Sequence, residues 1–181
     1  AAALRKERGR LRPGASAVEL EEAIDHGRPL LVGVFADQDA DTINGIAEEC
    51  GLDVVQLSGS EPWEMCEMIQ RPVFKCMKVK QGEEASSIVG SAGDGGILLL
   101  DPYVAGIYGG TGQTLDWGVA AAVAKQRPTV LAGGLRPDNV GEAVRTVRPW
   151  AVDVSSGIES DGTKDVDKIR SFIAAAKEAE E

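Results

Sequence analysis

Thr129-Val130-Leu131-Ala132 runs into Gly133-Gly134-Leu135, and Ala151-Val152-Asp153-Val154 runs into Ser155-Ser156-Gly157. Each is a short apolar segment, rich in β-branched residues, that ends in a turn of small residues. Between them Val140, Ala143, Val144 and Val147 recur at helical spacing, and Pro137 can open that helix because a first-turn residue needs no amide donor. Strand, helix, strand is the repeating unit of a parallel sheet. The same alternation extends upstream and predicts strands over Leu31 to Phe35, Asp53 to Leu57, Val73 to Val79 and Ile97 to Asp101. All are nearly continuous in apolar residues, as expected of strands covered on both faces. Asp165-Val166-Asp167 opens the last helix with carboxylates at the positive end of its dipole, and Ile169, Phe172, Ile173 and Ala176 form its apolar stripe. Ala17 to Ile24, with Val18, Leu20, Ala23 and Ile24, is one more helix ahead of the first strand. The expectation is an α/β fold of six strands and about seven helices, beginning with a helix.

The 181 residues, 43% of them hydrophobic, suffice for one core, so 1–181 is expected to be a single domain. A net charge of −10 argues against a sequence-independent grip on nucleic acid or on anionic lipid, so an anionic ligand must be held by local geometry. The three cysteines, Cys50, Cys66 and Cys76, form no CxxC pair, and His26 is the one histidine. Neither a zinc site nor a disulfide framework is expected; the compartment is a reducing one, the cytoplasm or alternatively a plastid. No apolar run approaches the ~20 residues that cross a bilayer.

In parallel sheets chemistry gathers at the carboxyl ends of the strands. There Asp101 follows Ile97-Leu98-Leu99-Leu100. A carboxyl group at that rim, partly desolvated, suits a general acid; an Asp that merely caps the turn before Pro102 is the alternative. Tyr108-Gly109-Gly110-Thr111-Gly112-Gln113-Thr114 is a glycine loop able to approach an anion or to hinge over a ligand. The Gly133-Gly134 and Ser155-Ser156-Gly157 turns supply amides and hydroxyls near helix starts, a combination that suits a phosphate group. In a (β/α)8 barrel the phosphate site lies after strands seven and eight. On that count the present strands are the third to the eighth, and the helices the second to the eighth.

These residues also carry a family resemblance. Leu98 to Asp101, Gly109-Gly110-Thr111-Gly112 with Asp116-Trp117, Leu131 to Val140, and Val152-Asp153-Val154-Ser155-Ser156-Gly157-Ile158-Glu159 resemble phosphoribosylanthranilate isomerase of tryptophan biosynthesis, a (β/α)8 TIM barrel. Val32 to Phe35 and Asp53 to Leu57 are similar to the family's third and fourth strands. A phosphosugar epimerase on the same scaffold would not explain Asp116-Trp117 and the Val152 to Gly157 run together.

The resemblance implies an Amadori rearrangement of N-(5-phosphoribosyl)anthranilate to 1-(2-carboxyphenylamino)-1-deoxyribulose 5-phosphate, with no metal and no organic cofactor. It makes Asp101 the general acid. The 5-phosphate falls to Gly133, Gly134, Ser155, Ser156 and Gly157, and the loop with Gly109, Gly110 and Thr111 folds over the substrate. Asp153 orients the anthranilate and ribose portions.

Two departures stand against it. The family's general base is a cysteine in a Lys-x-Cys-Gly stretch at the end of its first strand, which this sequence lacks; Cys76, in Phe74-Lys75-Cys76, reads as a core thiol, and Cys50 and Cys66 as helix packing positions. Ser58 stands where the family more often has histidine, and Arg10 or Arg12 is the candidate for its substrate-binding arginine. The barrel's first strand, first helix and second strand are expected to lie ahead of Ala1, about 40 residues toward the ~200–250 of a full barrel. The alternative is a non-catalytic, barrel-derived subunit whose open side packs on a partner protein, with Arg5 to Arg12 as docking surface. A homodimer is the other partner class. Trp63, Trp117 and Trp150 are expected to be partly buried, and His26 to act as a charge partner at a helix end.

Overall fold

The structure is a computed structural model and describes residues 11, 13–25, 29–93, 96–103 and 115–180. His26, Arg5 to Arg10 and Arg12, together with the expectations placed on them, lie outside the described residues. The chain divides into two compact units, Ala1–Cys76 with Gly93–Ile97 and Met77–Ala92 with Leu98–Glu181.

In the first unit, α1 (Ala17–Asp25) leads to β1 (Val32–Phe35), α2 (Ala40–Cys50), β2 (Val54–Leu57), α3 (Met65–Met68) and the first part of β3 (Val73–Val79). Helix α1 starts at a capping box: Ser16 Oγ accepts from the Glu19 amide, and Glu19 Oε2 accepts from the Ser16 amide. Asp39 caps α2 through the Thr42 amide at 2.9 Å, and Gly51, at φ 65°, ends it in the left-handed conformation. Ala40, Ile43 and Ala47 then share one buried face of α2, against Phe35, Val55, Leu57 and Val73. Strands β1 and β2 pair in parallel from Val32↔Val54 to Phe35↔Leu57, and β2 pairs with β3 from Val55↔Val73.

In the second unit the rest of β3 is followed by α4 (Ala85–Ser91), β4 (Ile97–Pro102), α5 (Trp117–Ala124), β5 (Thr129–Leu131), α6 (Val140–Val147) and β6 (Ala151–Val152). A 3-10 turn (Ser156–Ile158), the strands β7 (Glu159–Ser160) and β8 (Thr163–Lys164), and α7 (Val166–Glu178) complete it. The strand order is β3-β4-β5-β6, with β4 and β5 parallel from Leu98↔Thr129 and β5 and β6 parallel from Val130↔Ala151. Leu98, Leu99, Leu100, Val130 and Leu131 are all buried, which is why their runs are apolar on both alternating faces. Asp116 caps α5 and Asp165 caps α7, each with its own carboxylate.

All six expected strands are present, as are the seven helices among the described residues. The β7–β8 hairpin lies beyond the six expected strands, and four details differ. Val32 and Val34 are 41% and 63% exposed, so β1 is covered on one face instead of both. Val18 and Ile24 of α1 are exposed; Leu20 is the inward residue, from which Val18 is turned by about 200° around the helix, while Ile24 falls in the last turn. Ile173, expected on the stripe of α7, is exposed beside buried Phe172, because a single step along the helix turns it ~100° off the face that meets α6. Pro137 sits in the turn before α6, whose Val140, Ala143, Val144 and Val147 are buried as expected. Trp63, Trp117 and Trp150 are all partly buried. Among the described residues no helix is long and apolar enough to cross a membrane.

Candidate active site

Because β4, β5 and β6 run parallel, Asp101, Gly133 and Asp153 leave the second unit's strands at the same edge. Local packing draws them together. Gly133 has φ 87°, and a Cβ there would stand 2.0 Å from Pro102 Cδ and 3.2 Å from Asp101 Oδ1. The turn after β5 is thus pressed against the end of β4, and both its unusual backbone and its lack of a side chain are required. Gly157 makes the matching approach from the next turn, where an added Cβ would lie 1.8 Å from the Leu135 carbonyl oxygen. The Gly133-Gly134-Leu135 and Ser155-Ser156-Gly157 turns are therefore in direct contact. Asn139 fixes the first of them, since its Nδ2 donates to the Gly134 carbonyl at 3.0 Å and its Oδ1 accepts from the Arg136 amide at 2.7 Å.

Asp101 is not a solitary carboxyl group. Its side chain is 13% exposed, and its Oδ2 accepts a hydrogen bond from Lys78 Nζ at 2.5 Å. Asp153 has the opposite electrostatic setting. The protein atoms crowding its carboxyl group, although its surface remains exposed, raise its pKa above the ordinary carboxylate value, and the charge of Asp101 raises it further. The Val154 amide and the Lys164 ammonium pull the other way.

Beside Asp101 a cavity of about 650 Å³ opens between Val79, Lys80, Pro102, Tyr103, Leu115 and Val119. The Tyr103 amide donates to the Val79 carbonyl at 2.7 Å, and the Lys80 ammonium lies 5.8 Å from the centre of the Tyr103 ring.

The structure brings Asp101, Gly133, Gly134, Asp153, Ser155, Ser156 and Gly157 to one edge of the second unit. Gly109, Gly110 and Thr111 lie outside the described residues. Of the cysteines, Cys76 is buried in β3, Cys66 is buried in α3 with its thiol pKa pushed up to about 11 by burial, and Cys50 is exposed at the end of α2. Ser58 follows β2, where its Oγ accepts from Gln56 Nε2 at 3.0 Å. Among the described residues no group of three or more His, Cys, Asp and Glu side chains is placed to hold a metal ion.

Two residues of the site were not singled out from sequence. Lys78 had one available signal: with Lys75 it is one of two cations inside a mostly apolar strand. Lys164 is carried to the site by the β7–β8 hairpin, whose Asp161-Gly162 tip has both residues at positive φ, 51° and 75°. An Asp-Gly dipeptide is a known hairpin signal and could have revealed it.

Comparison with known proteins gives a consistent result. The sequence model of the N-(5'phosphoribosyl)anthranilate (PRA) isomerase family matches residues 12–175. N-(5'-phosphoribosyl)anthranilate isomerase of Dehalococcoides mccartyi is 40% identical over 173 residues, which is 91% of this chain and 79% of the relative. The crystal structure of phosphoribosyl anthranilate isomerase from Thermotoga maritima superposes with a TM-score of 0.73 at 35% identity, covering 90% of this chain and 81% of that one. The isomerase in complex with reduced 1-(o-carboxyphenylamino)-1-deoxyribulose 5-phosphate is similar at a TM-score of 0.66 and 32% identity, covering 91% and 80%. All of these relatives are named isomerases, which favours the catalytic reading over that of a non-catalytic subunit.

Proposed function

The chain belongs to the N-(5'-phosphoribosyl)anthranilate isomerase family, and on that premise we propose that it converts N-(5'-phosphoribosyl)anthranilate to 1-(2-carboxyphenylamino)-1-deoxyribulose 5-phosphate, with Asp101 as the acid. The observation that carries this reading is the adjacency of Asp101 and Gly133, together with the contact of the Gly133 and Gly157 turns. A carboxyl group and two turns rich in small residues share one edge, which fits a ligand with a reacting sugar ring at one end and a phosphate at the other.

The reaction opens when Asp101, in its protonated form, gives a proton to the furanose ring oxygen. The C1'–O bond breaks, and the nitrogen lone pair forms the C=N bond of a Schiff base. Lys78 Nζ, which donates to Asp101 Oδ2, stays beside the carboxylate that the proton leaves behind. Loss of the C2' proton gives an enolamine, and addition of a proton to C1' with loss of the C2' hydroxyl proton yields the ketose. Gly133, Gly134, Ser155, Ser156 and Gly157 hold the 5-phosphate, and this remote binding energy keeps C2' and the ring oxygen in place. Asp153, which leaves β6 at the same edge as Asp101, orients the ribose and the anthranilate. The C2' proton goes to a base, for which the family uses the cysteine of Lys-x-Cys-Gly. Cys66 does not fill that role, because a thiol with a pKa of about 11 stays protonated at neutral pH. The strands β1 to β6 are assigned to positions three to eight of a (β/α)8 barrel, an assignment supported by the phosphate turns following β5 and β6.

The test is the decay of anthranilate fluorescence when freshly made substrate meets the full-length protein. Decay above background is expected. Asp101→Asn should slow it by roughly 10²- to 10⁴-fold, the usual contribution of a positioned acid, while phosphate binding stays within a few-fold. A folded protein with no decay above background, or an Asp101→Asn variant as active as the wild type, overturns the reading.

A further inference from the structure

The β7–β8 hairpin has strands of two residues each, too short to be stable by pairing alone. Its other bonds run back to the turn after β6 and on to α7. Lys164 Nζ donates to the Ser155 carbonyl oxygen at 2.8 Å, lies 3.4 Å from Ser155 Oγ, and pairs with Glu159 Oε1 at 2.6 Å. Ser160 Oγ donates to Asp165 Oδ2 at 2.7 Å, and Lys168 Nζ donates to the Glu159 carbonyl at 2.5 Å. Lys164 and Glu159 are both partly solvent-exposed, so their ion pair by itself contributes little, roughly 0–1 kcal/mol. What sets Lys164 apart from an ordinary surface cation is the second bond, to a carbonyl nine residues back in the chain.

We propose that Lys164 is the positioning residue of the phosphate turn: by holding the Ser155 carbonyl it fixes the Ser155-Ser156-Gly157 backbone for the substrate's 5-phosphate. The assignment rests on the proposed isomerase reading and deepens it. A turn that presents amides to an anion must also turn its carbonyl oxygens away, since their negative ends repel the ligand. At Ser155 that oxygen takes the Lys164 ammonium and, at 3.4 Å, the Ile158 amide, which opens the 3-10 turn. The 3-10 turn itself bonds neither the Ser156 nor the Gly157 amide. The ammonium also brings positive charge beside the turn in a protein of net charge −10. The charged groups around it are Glu159, Asp153 and, through the Glu159 carbonyl, Lys168.

The test compares wild type, Lys164→Met and Lys164→Arg in the full-length protein, with two readouts. One is the dissociation constant for inorganic phosphate, followed by phosphorus NMR; the other is the separation of KM from kcat for N-(5'-phosphoribosyl)anthranilate. Lys164→Met should weaken phosphate binding and raise KM by about tenfold each, the value of one charge-assisted hydrogen bond, with kcat within about twofold. Lys164→Arg, which can still donate to the carbonyl, should recover most of the loss. Phosphate binding unchanged in Lys164→Met, or a fall confined to kcat, overturns the proposal. If wild type binds phosphate without turning over substrate while Lys164→Met loosens that binding, the isomerase reading falls and the role of Lys164 stands.

Discussion

The carboxyl groups of Asp101 and Asp153 lie close enough that the negative charge of the first raises the pKa of the second. Crowding by protein atoms is the larger cause, and the two act in the same direction. The folded protein therefore holds the Asp153 proton more tightly than the unfolded chain does, so stability is fully present below the ordinary value of 3.8 and is lost as pH rises through the folded value. Asp153→Asn removes this dependence. Relative to the variant, wild type should lose stability as pH climbs from 3 to 8, as read from urea midpoints at each pH. Parallel midpoint curves for the two proteins would contradict this assignment.

The two glycine approaches at the site predict different failures. Gly133→Ala combines a left-handed backbone with a clash against Pro102, and should cost about 1–3 kcal/mol of stability as well as activity. Gly157→Ala meets the Leu135 backbone, which cannot rotate aside, so its turn must shift and KM should rise at least about tenfold. Gly14→Ala is the control. It too has positive φ, 66°, but no neighbour within 4 Å of the new Cβ, so only the backbone cost of about 1 kcal/mol is expected and kinetics stay unchanged. Equal KM values for Gly157→Ala and wild type would remove the phosphate role from this turn.

In the first unit, Lys75 and Glu61 form an ion pair at 3.0 Å with side chains 5% and 2% exposed. Lys75→Met leaves the Glu61 carboxylate buried and without its cation, at a cost of about 3–5 kcal/mol. The Lys75→Met/Glu61→Met double variant should recover only part of that, because Glu61 Oε1 also accepts from the Asp37 amide at 2.8 Å and the Gly59 amide at 3.3 Å. Denaturant titration of the three proteins measures it. Full recovery in the double variant would show that those amides do not depend on Glu61.

Thiol labelling separates the cysteines. Cys50 is exposed, whereas Cys66 is buried with its pKa near 11, so at pH 8 an alkylating reagent should modify Cys50 and leave Cys66 intact until the protein unfolds or the pH approaches 11. Mass mapping of the labelled peptides reads the order. Labelling of Cys66 ahead of Cys50 in folded protein would refute it.

Much of this was legible before the fold was known. The strand from Ile97 and that from Thr129 announce themselves because burial on both faces forces a continuous apolar run, which few other elements tolerate. Asp165 announces α7 because the first amides of a helix need an acceptor. The width of a helix stripe was less legible. Periodicity says which residues share a side, but the neighbouring helix decides how far around the contact extends, and Ile173 falls beyond it.

By itself the sequence determined which residue types stand at the strand ends: a carboxylate in the last two residues of β4, glycines after β5, serines and a glycine after β6. It could do so because a local pattern of apolar spacing and turn residues fixes where each strand stops. Only the tertiary structure decided what those residues meet. Lys78 reaches Asp101 across 23 residues and Lys164 reaches Ser155 across 9, and no local rule encodes a hydrogen bond whose two partners are brought together by strand order and by a hairpin folding back.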